Sequence, residues 1–412
     1  MLGGSMRLFP AAIACALVPA IAEANGPVDP PTAVIGGANA APGAWPDAAA
    51  VLFPVNQTDV PACSGTLIAP TVVLTAGHCD DPAEPPLPDH VLIGTSSLAR
   101  PGDGETLAIA RGIPFPDAAQ TEDVALLILA QPSSRPPRKI ATGWARADLV
   151  DGAAIALVGF GAINKDGDQF VDALQEARTT ITDADCSTSI GCNPGAQPAG
   201  ELGAGGMGID TCPGDSGGPL YLTTAYGTFL AGVTSRAYGN AQFECSEGGI
   251  YERPDKIVDW IEAAAGVAVA RGPEPSADPI TAIHGDGGET AIDANDPAAA
   301  RHTFAVTTPP THGAAEVRSD GVVRVCTDAA AAPGDDQLTV TITDASHPAR
   351  AVVLTIPIHI EDGAPAQTCN PGAFDTAELD ASGGGCCDAG RAPGGALPLA
   401  IGVLALITRR RR

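Results

Sequence analysis

Between residues 34 and 266, apolar side chains come in short runs that Gly, Pro and Asp break before a helical period can repeat. Segments 72–74, 90–93, 124–129 and 154–158 are rich in β-branched and aliphatic residues and read as strands. The first segment with helical spacing is 256–265, where Ile257, Ile261, Ala264 and Ala265 share a face. Many short strands without alternating helices predict an all-β barrel or sandwich, closed here by one C-terminal helix. A Pro-rich stretch at 271–279 follows, and then strand-like segments 302–307, 321–325, 338–343 and 351–360 separated by Pro-Pro, Asp-Gly and Pro-Gly turns. A sandwich of about 80 residues buries an adequate core. Segment 363–385 is rich in Gly, Ala and Asp and reads as a flexible tether.

At 412 residues the chain is too long for one ordinary domain. Its two ends have characters of their own. Arg7, the apolar run 8–22 and Ala22-Glu23-Ala24 give a basic region, a hydrophobic core and a small-x-small cleavage site, so residues 1–24 read as a secretory signal. Export implies an oxidising compartment, in which the cysteines are expected to pair. At the other end, Cys386-Cys387 leads into the apolar run 396–408 and then Arg409 to Arg412. That run is shorter than the roughly 20 residues a bilayer span needs, so it predicts transient membrane contact rather than a full span. With 48 acidic against 22 basic residues the net charge is −26, which argues against nucleic acid as a partner.

Candidate chemistry changes the picture most. Cys212-Pro213-Gly214-Asp215-Ser216-Gly217-Gly218-Pro219 sets a serine on a glycine-flanked turn. A serine hydroxyl is a poor nucleophile at neutral pH and needs a base to take its proton. Thr75-Ala76-Gly77-His78-Cys79 offers an imidazole, which titrates near working pH. Glu122-Asp123 offers a carboxylate at the head of an apolar strand, able to fix the imidazole tautomer. His78 precedes Asp123 by 45 residues, and Asp123 precedes Ser216 by 93. In segment order and interval the three resemble the trypsin/chymotrypsin family of serine endopeptidases.

That resemblance implies a chymotrypsin-like double β-barrel over 34–266, with His78, Asp123 and Ser216 catalytic and the backbone N–H groups of Gly214 and Ser216 forming the oxyanion hole. It places Asp210 at the base of the primary pocket, favouring Arg and Lys, with Thr211, Ser235, Ala237 and Gly249 around it. Ala237 stands where the family usually has glycine, and Arg236 where it usually has tryptophan, within reach of Asp210 and able to neutralise part of its charge. The family is made as zymogens, so cleavage before Val34-Ile35-Gly36-Gly37 is expected to free a Val34 ammonium that buries against Asp215. Ala33 precedes the cut, so the activating protease is not expected to be tryptic. By the same resemblance Cys63 pairs with Cys79, Cys186 with Cys192 and Cys212 with Cys245; Cys326 and Cys369 either pair or stay free.

Residues 267–279 are then a linker. Thr307-Thr308-Pro309-Pro310-Thr311-His312-Gly313 and Val340-Thr341-Ile342-Thr343-Asp344 resemble the cadherin/immunoglobulin-like modules of bacterial surface proteins, giving a β-sandwich at 280–362 as spacer or adhesive unit. His302, His312, His347 and His359 are scattered, not at metal-ligand intervals. No metal or cofactor is expected. Residues 386–412 resemble a myxobacterial-type C-terminal sorting tail handled by envelope machinery, and 25–33 read as a propeptide. Together these imply a serine endopeptidase acting on polypeptides, exported to the cell surface or the medium. The competing expectation is an inert protease fold serving adhesion. Basic residues in the Pro/Ser-rich stretch 131–140, Arg138 and Lys139, are the expected sites of self-cleavage.

Overall fold

A computed structural model describes residues 34–364 and 369, apart from 57, 117–121, 194–195 and 197–199. The expected signal, propeptide and sorting tail lie outside the described residues, as does most of the tether. A short strand β1 (Ala38–Asn39) leads into six strands: β2 (Ala48–Val55), β3 (Thr58–Ala69), β4 (Val72–Thr75), β5 (His90–Ile93), β6 (Glu105–Pro114) and β7 (Ala125–Leu129). They close into a barrel in the order β2-β3-β4-β7-β6-β5. After the one-turn helix α1 (Gly143–Ala147), a second set follows: β8 (Ala154–Gly159), β9 (Gln175–Asp183), β10 (Glu201–Ala204), β11 (Pro219–Thr224), β12 (Gly227–Ala237) and β13 (Gly249–Glu252). Their order is β9-β10-β13-β12-β11-β8, β8 pairs back onto β9 to close the second barrel, and β1 adds an edge beside β9.

The apolar runs are unbroken because many strands are covered on both faces. Val51, Leu67, Val73, Val91, Ile93 and Leu127 fill the first barrel. Ile155, Leu157, Ile181, Leu202, Leu220 and Tyr251 fill the second. Side chains of the opposite parity, among them Leu74, Leu126, Val158, Leu230 and Val233, meet in a third cluster that joins the barrels. Each fully buried Val, Leu or Ile there stabilises the fold by ~1.5–3 kcal/mol. Trp45 stacks on Tyr221 in that seam, and Arg138 lies over Tyr221 while bonding Asp47.

Helix α2 (Val258–Ala265) packs Val258 and Ile261 into the seam cluster and ends at Gly266, whose φ of 69° supplies the left-handed cap. The expected helix is therefore present, entered through a 3-10 turn at Pro254–Lys256.

The C-terminal part has seven strands: β14 (Ile280–Ile283), β15 (Gly287–Ala291), β16 (His302–Thr308), β17 (Gly313–Val317), β18 (Val322–Thr327), β19 (Gly334–Asp344) and β20 (Ala351–Glu361). One sheet runs β14-β20-β19-β16, with β14 parallel to β20, and the other runs β15-β18-β17. Ile280, Val323, Val325, Leu338, Val340 and Ile356 are buried in its core.

This unit is not loosely strung. Trp144, on α1, is fully buried in the core of the C-terminal sheets, and its indole N–H donates to the Ala294 carbonyl at 2.6 Å. Arg350 reaches back to Asp148 at 2.6 Å and to Asp296 at 2.5 Å, with its guanidinium 4.7 Å from the Trp144 ring centroid. The linker is tied down too: Gly272 N donates to Ile140 O, and Trp144 N to Pro273 O.

Candidate active site

Strand β4 delivers the chain into the 3-10 turn Gly77–Asp80, which carries His78. The Cys63–Cys79 disulfide ties that turn to β3. Asp123 stands just before β7, the neighbour of β4, so ladder register alone brings the two side chains to one end of the first barrel. His78 Nδ1 lies 2.8 Å from Asp123 Oδ2, and the His78 backbone N–H donates to Asp123 Oδ1 at 2.9 Å. A carboxylate only accepts, so Nδ1 carries the proton and Nε2 is left as the basic nitrogen. From the second barrel, Ser235 Oγ donates to Asp123 Oδ2 at 2.7 Å.

Electrostatics follow from these contacts. Burial lowers the pKa of His78, but the hydrogen bond and charge of Asp123, with Glu84, outweigh it and hold the imidazole above 6.5. Burial raises Asp123, yet His78 and Ser235 together keep it below the usual carboxylate range.

Ser216 sits half-buried on the turn between β10 and β11, pinned from both barrels. Ser64 N of β3 donates to Ser216 O at 2.8 Å, and Gly217 N donates to Thr234 O of β12 at 2.8 Å. Gly214 has φ of +94° and Gly217 of +79°. A Cβ on Gly217 would stand 2.5 Å from Ser64 O and 2.6 Å from Ala76 N, so only glycine lets this turn approach the His78 turn. Ser216 Oγ and His78 Nε2 are not hydrogen-bonded, a contact that often tightens only with substrate. The N–H groups of Gly214 and Ser216 have no acceptor among the described residues, while Gly214 O accepts from Ser64 Oγ at 3.0 Å.

Asp210 is buried at the end of an isolated bridge with Ile35. Its carboxylate accepts from the N–H of Thr211 at 2.8 Å, Ser246 at 2.9 Å, Glu247 at 3.2 Å and Gly248 at 2.9 Å. Burial still raises its pKa to about 6 against those four donors. Gly249 faces it: a Cβ there would sit 2.9 Å from Arg236 O and 3.6 Å from Asp210 Oδ1. Ala237 pairs with Gly249 across β12 and β13. Thr211 Oγ1 is engaged with the Tyr251 hydroxyl at 3.2 Å.

Arg236 departs from expectation. Its guanidinium does not bond Asp210 but the buried Glu201, at 2.6 Å, and Glu252, at 3.4 Å. Val34 is fully buried with φ of 39°. Asp215, also fully buried, accepts from Gly161 N at 2.8 Å and Cys212 N at 2.9 Å, and burial raises its carboxyl to about 7.

Four disulfides are present among the described residues: Cys63–Cys79, Cys186–Cys192, Cys212–Cys245 and Cys326–Cys369. The last resolves the open alternative in favour of pairing. Side chains within coordinating distance of one another include Cys63, His78 and Cys79, and also Cys186, Cys192 and Glu201, but disulfides occupy those sulfurs. No helix of the described residues is long and apolar enough to cross a membrane. Sequence reasoning missed Ser64, Glu201 and Glu252, lone polar residues whose place near the site depends on strand register.

Two closed six-stranded β-barrels with a helix packed on their seam define the chymotrypsin-like fold. The trypsin family matches residues 34–261, more than half of the chain, and the protein belongs to that family. It is 35% identical over 243 residues to serine protease 56 of Mus musculus, covering 56% of this chain but 38% of that one. It is 30% identical over 241 residues to trypsin of Saccharopolyspora erythraea, covering 56% of this chain and 100% of that one. Among solved structures, the secreted serine protease VesC from Vibrio cholerae aligns with a TM-score of 0.44 at 19% identity, covering 81% of this chain and 73% of that one.

Proposed function

We propose that this protein is an exported serine endopeptidase that cleaves polypeptides after Arg or Lys. The observation that carries the reading is the His78–Asp123 pair, braced by Ser235, with its basic Nε2 free beside the Ser216 turn. In this mechanism Ser216 Oγ attacks the scissile carbonyl as its proton passes to His78 Nε2. Asp123 stabilises the imidazolium. The oxyanion takes the N–H groups of Gly214 and Ser216, each worth about 2.7–4 kcal/mol in the transition state. His78 then gives its proton to the leaving amine, and water repeats the sequence on the acyl-enzyme.

Asp210, with Gly249 leaving room before it, supports recognition of a basic side chain. Ala237 narrows the same slot by a methyl. Asp215 supports activation by cleavage after Ala33. A carboxyl held up at about 7 with no cation beside it among the described residues is a poor resting place for charge, and a freed Val34 ammonium is the partner that would ionise it. Delivery by a signal at 1–24, retention at the surface by the tail 386–412, and a spacer or adhesive role for 280–362 complete the proposal.

Labelling by a serine-directed organophosphonate, compared between the native protein and Ser216→Ala, tests the reading. The native protein should label and Ser216→Ala should lose activity by about 10⁶-fold. Activity kept within about tenfold in Ser216→Ala removes the proposed nucleophile. No labelling of activated native protein favours the inert, adhesive reading instead.

A further inference from the structure

We propose that Arg236 is a positioning residue for the triad, coupling a buried pair of glutamates to the Ser235–Asp123 hydrogen bond and so setting the basicity of His78. The proposal rests on the triad reading above. Arg236 follows Ser235 on β12, and every N–H of its guanidinium has an acceptor. Nη1 donates to Ser235 Oγ at 3.0 Å and to Glu252 Oε1 at 3.4 Å. Nη2 donates to Glu201 Oε1 at 2.6 Å and to Gly191 O at 2.9 Å, and Nε to Gly191 O at 3.3 Å. A side chain this fully engaged is not available to a substrate carboxylate or to Asp210.

Glu201 and Glu252 are fully buried and stand opposite each other in the β10–β13 ladder. Two carboxyls thus share one cation. Burial, reinforced by the charge of Glu201, raises Glu252 to about 9, and the charge of Arg236 works against that rise. The cluster faces the triad electrically: Asp123 acts on Glu252, and Glu201 acts on Glu122. Asp123 and Glu84 act on His78 directly and Asp80 stands on the same turn, while Glu252, through Asp123, and Arg236, through Ser235, reach it at one remove.

Arg236 acts in two ways. A cation donating to Ser235 Oγ polarises that hydroxyl and strengthens its own donation to Asp123. The same charge offsets the buried glutamate, whose field would otherwise favour the imidazolium of His78. Loss of Arg236 should therefore make His78 too basic, and loss of both glutamates should make it less basic.

The sign pattern is the test, read as kcat/KM against pH for activated enzyme on a short peptide with a basic P1 residue. Arg236→Met should move the acid limb upward by about 0.5–1 unit. Glu201→Gln with Glu252→Gln, which keeps the amide acceptors and leaves the cation unopposed, should move it downward. The triple variant should return to within about 0.2 unit of the native limb, a recovery that a merely structural arginine does not produce. Superimposable native and Arg236→Met profiles overturn the proposal, as does a triple variant that keeps the Arg236→Met shift. Should Arg236→Met fail to fold, a glutamate double variant that stays put or shifts upward overturns it as well. Organophosphonate labelling of each variant keeps the two readings apart: a protein that does not label at all counts against the triad, not against Arg236.

Discussion

Asp215 illustrates how one buried carboxyl governs the uncleaved chain. Its ordinary pKa of 3.8 rises to about 7 in the fold, so between those values the folded chain holds a proton that the unfolded chain has released. Stability should accordingly fall as pH rises from about 4 to 7, by a few kcal/mol from this group. Urea unfolding of the uncleaved Ser216→Ala protein at several pH values should show this decline, and adding Asp215→Asn should flatten it. An identical slope in both proteins would contradict the assignment. His78 titrates with the opposite consequence for activity. Because its imidazole is held above 6.5, kcat/KM should reach half its plateau above that pH and fall on acidification, as the base takes up a proton. At the pocket, Asp210→Ser should cost about 2–5 kcal/mol in kcat/KM for Arg substrates, since the incoming guanidinium loses its buried partner. Equal losses for Arg and Leu substrates would dissociate Asp210 from specificity.

At the scale of elements, the stretch 131–140 is irregular chain that is bonded along its length. It reads as an exposed basic loop, yet Ser133 N donates to Pro70 O and Arg138 N to Leu67 O. The Arg138 guanidinium is locked onto Asp47 at 2.5 Å and over Tyr221 in the seam. Lys139 is exposed, but its carbonyl accepts from Leu230 N, so cutting there requires opening a strand. Mass spectrometry after prolonged incubation should find no termini following Arg138 while the protein stays folded; a cut there would mean that the seam opens under native conditions. The strands themselves were legible because burial on both faces leaves an unbroken apolar run, and α2 because its spacing repeats. Helix α1 was not: five residues carry no period, and the importance of Trp144 arises from what it meets more than 130 residues later. The site divides in the same way. The serine turn and the histidine turn announce themselves in glycine and short-range order. Ser64, Glu201 and Glu252 do not, because their roles are created by ladders between distant strands.

For the whole molecule, the docked C-terminal sheets matter most. Trp144 inserted in their core and Arg350 clamped to Asp148 make a contact more specific than a linker requires. Trp144→Ala should destabilise by about 3–5 kcal/mol. With Arg350→Ala it should split one calorimetric transition into two as the units come apart, whereas a single transition in the double variant would mean that the remaining contacts suffice. The Cys326–Cys369 bond adds a mechanical consequence. Tension applied to the chain beyond Cys369 passes through the sulfurs into β18 and bypasses everything from 327 to 368. The long β19–β20 hairpin is thereby left slack. A protein held by its C-terminal end and tugged by its substrate would strain β18 against its neighbours β15 and β17, with β19 and β20 off the covalent path of the load.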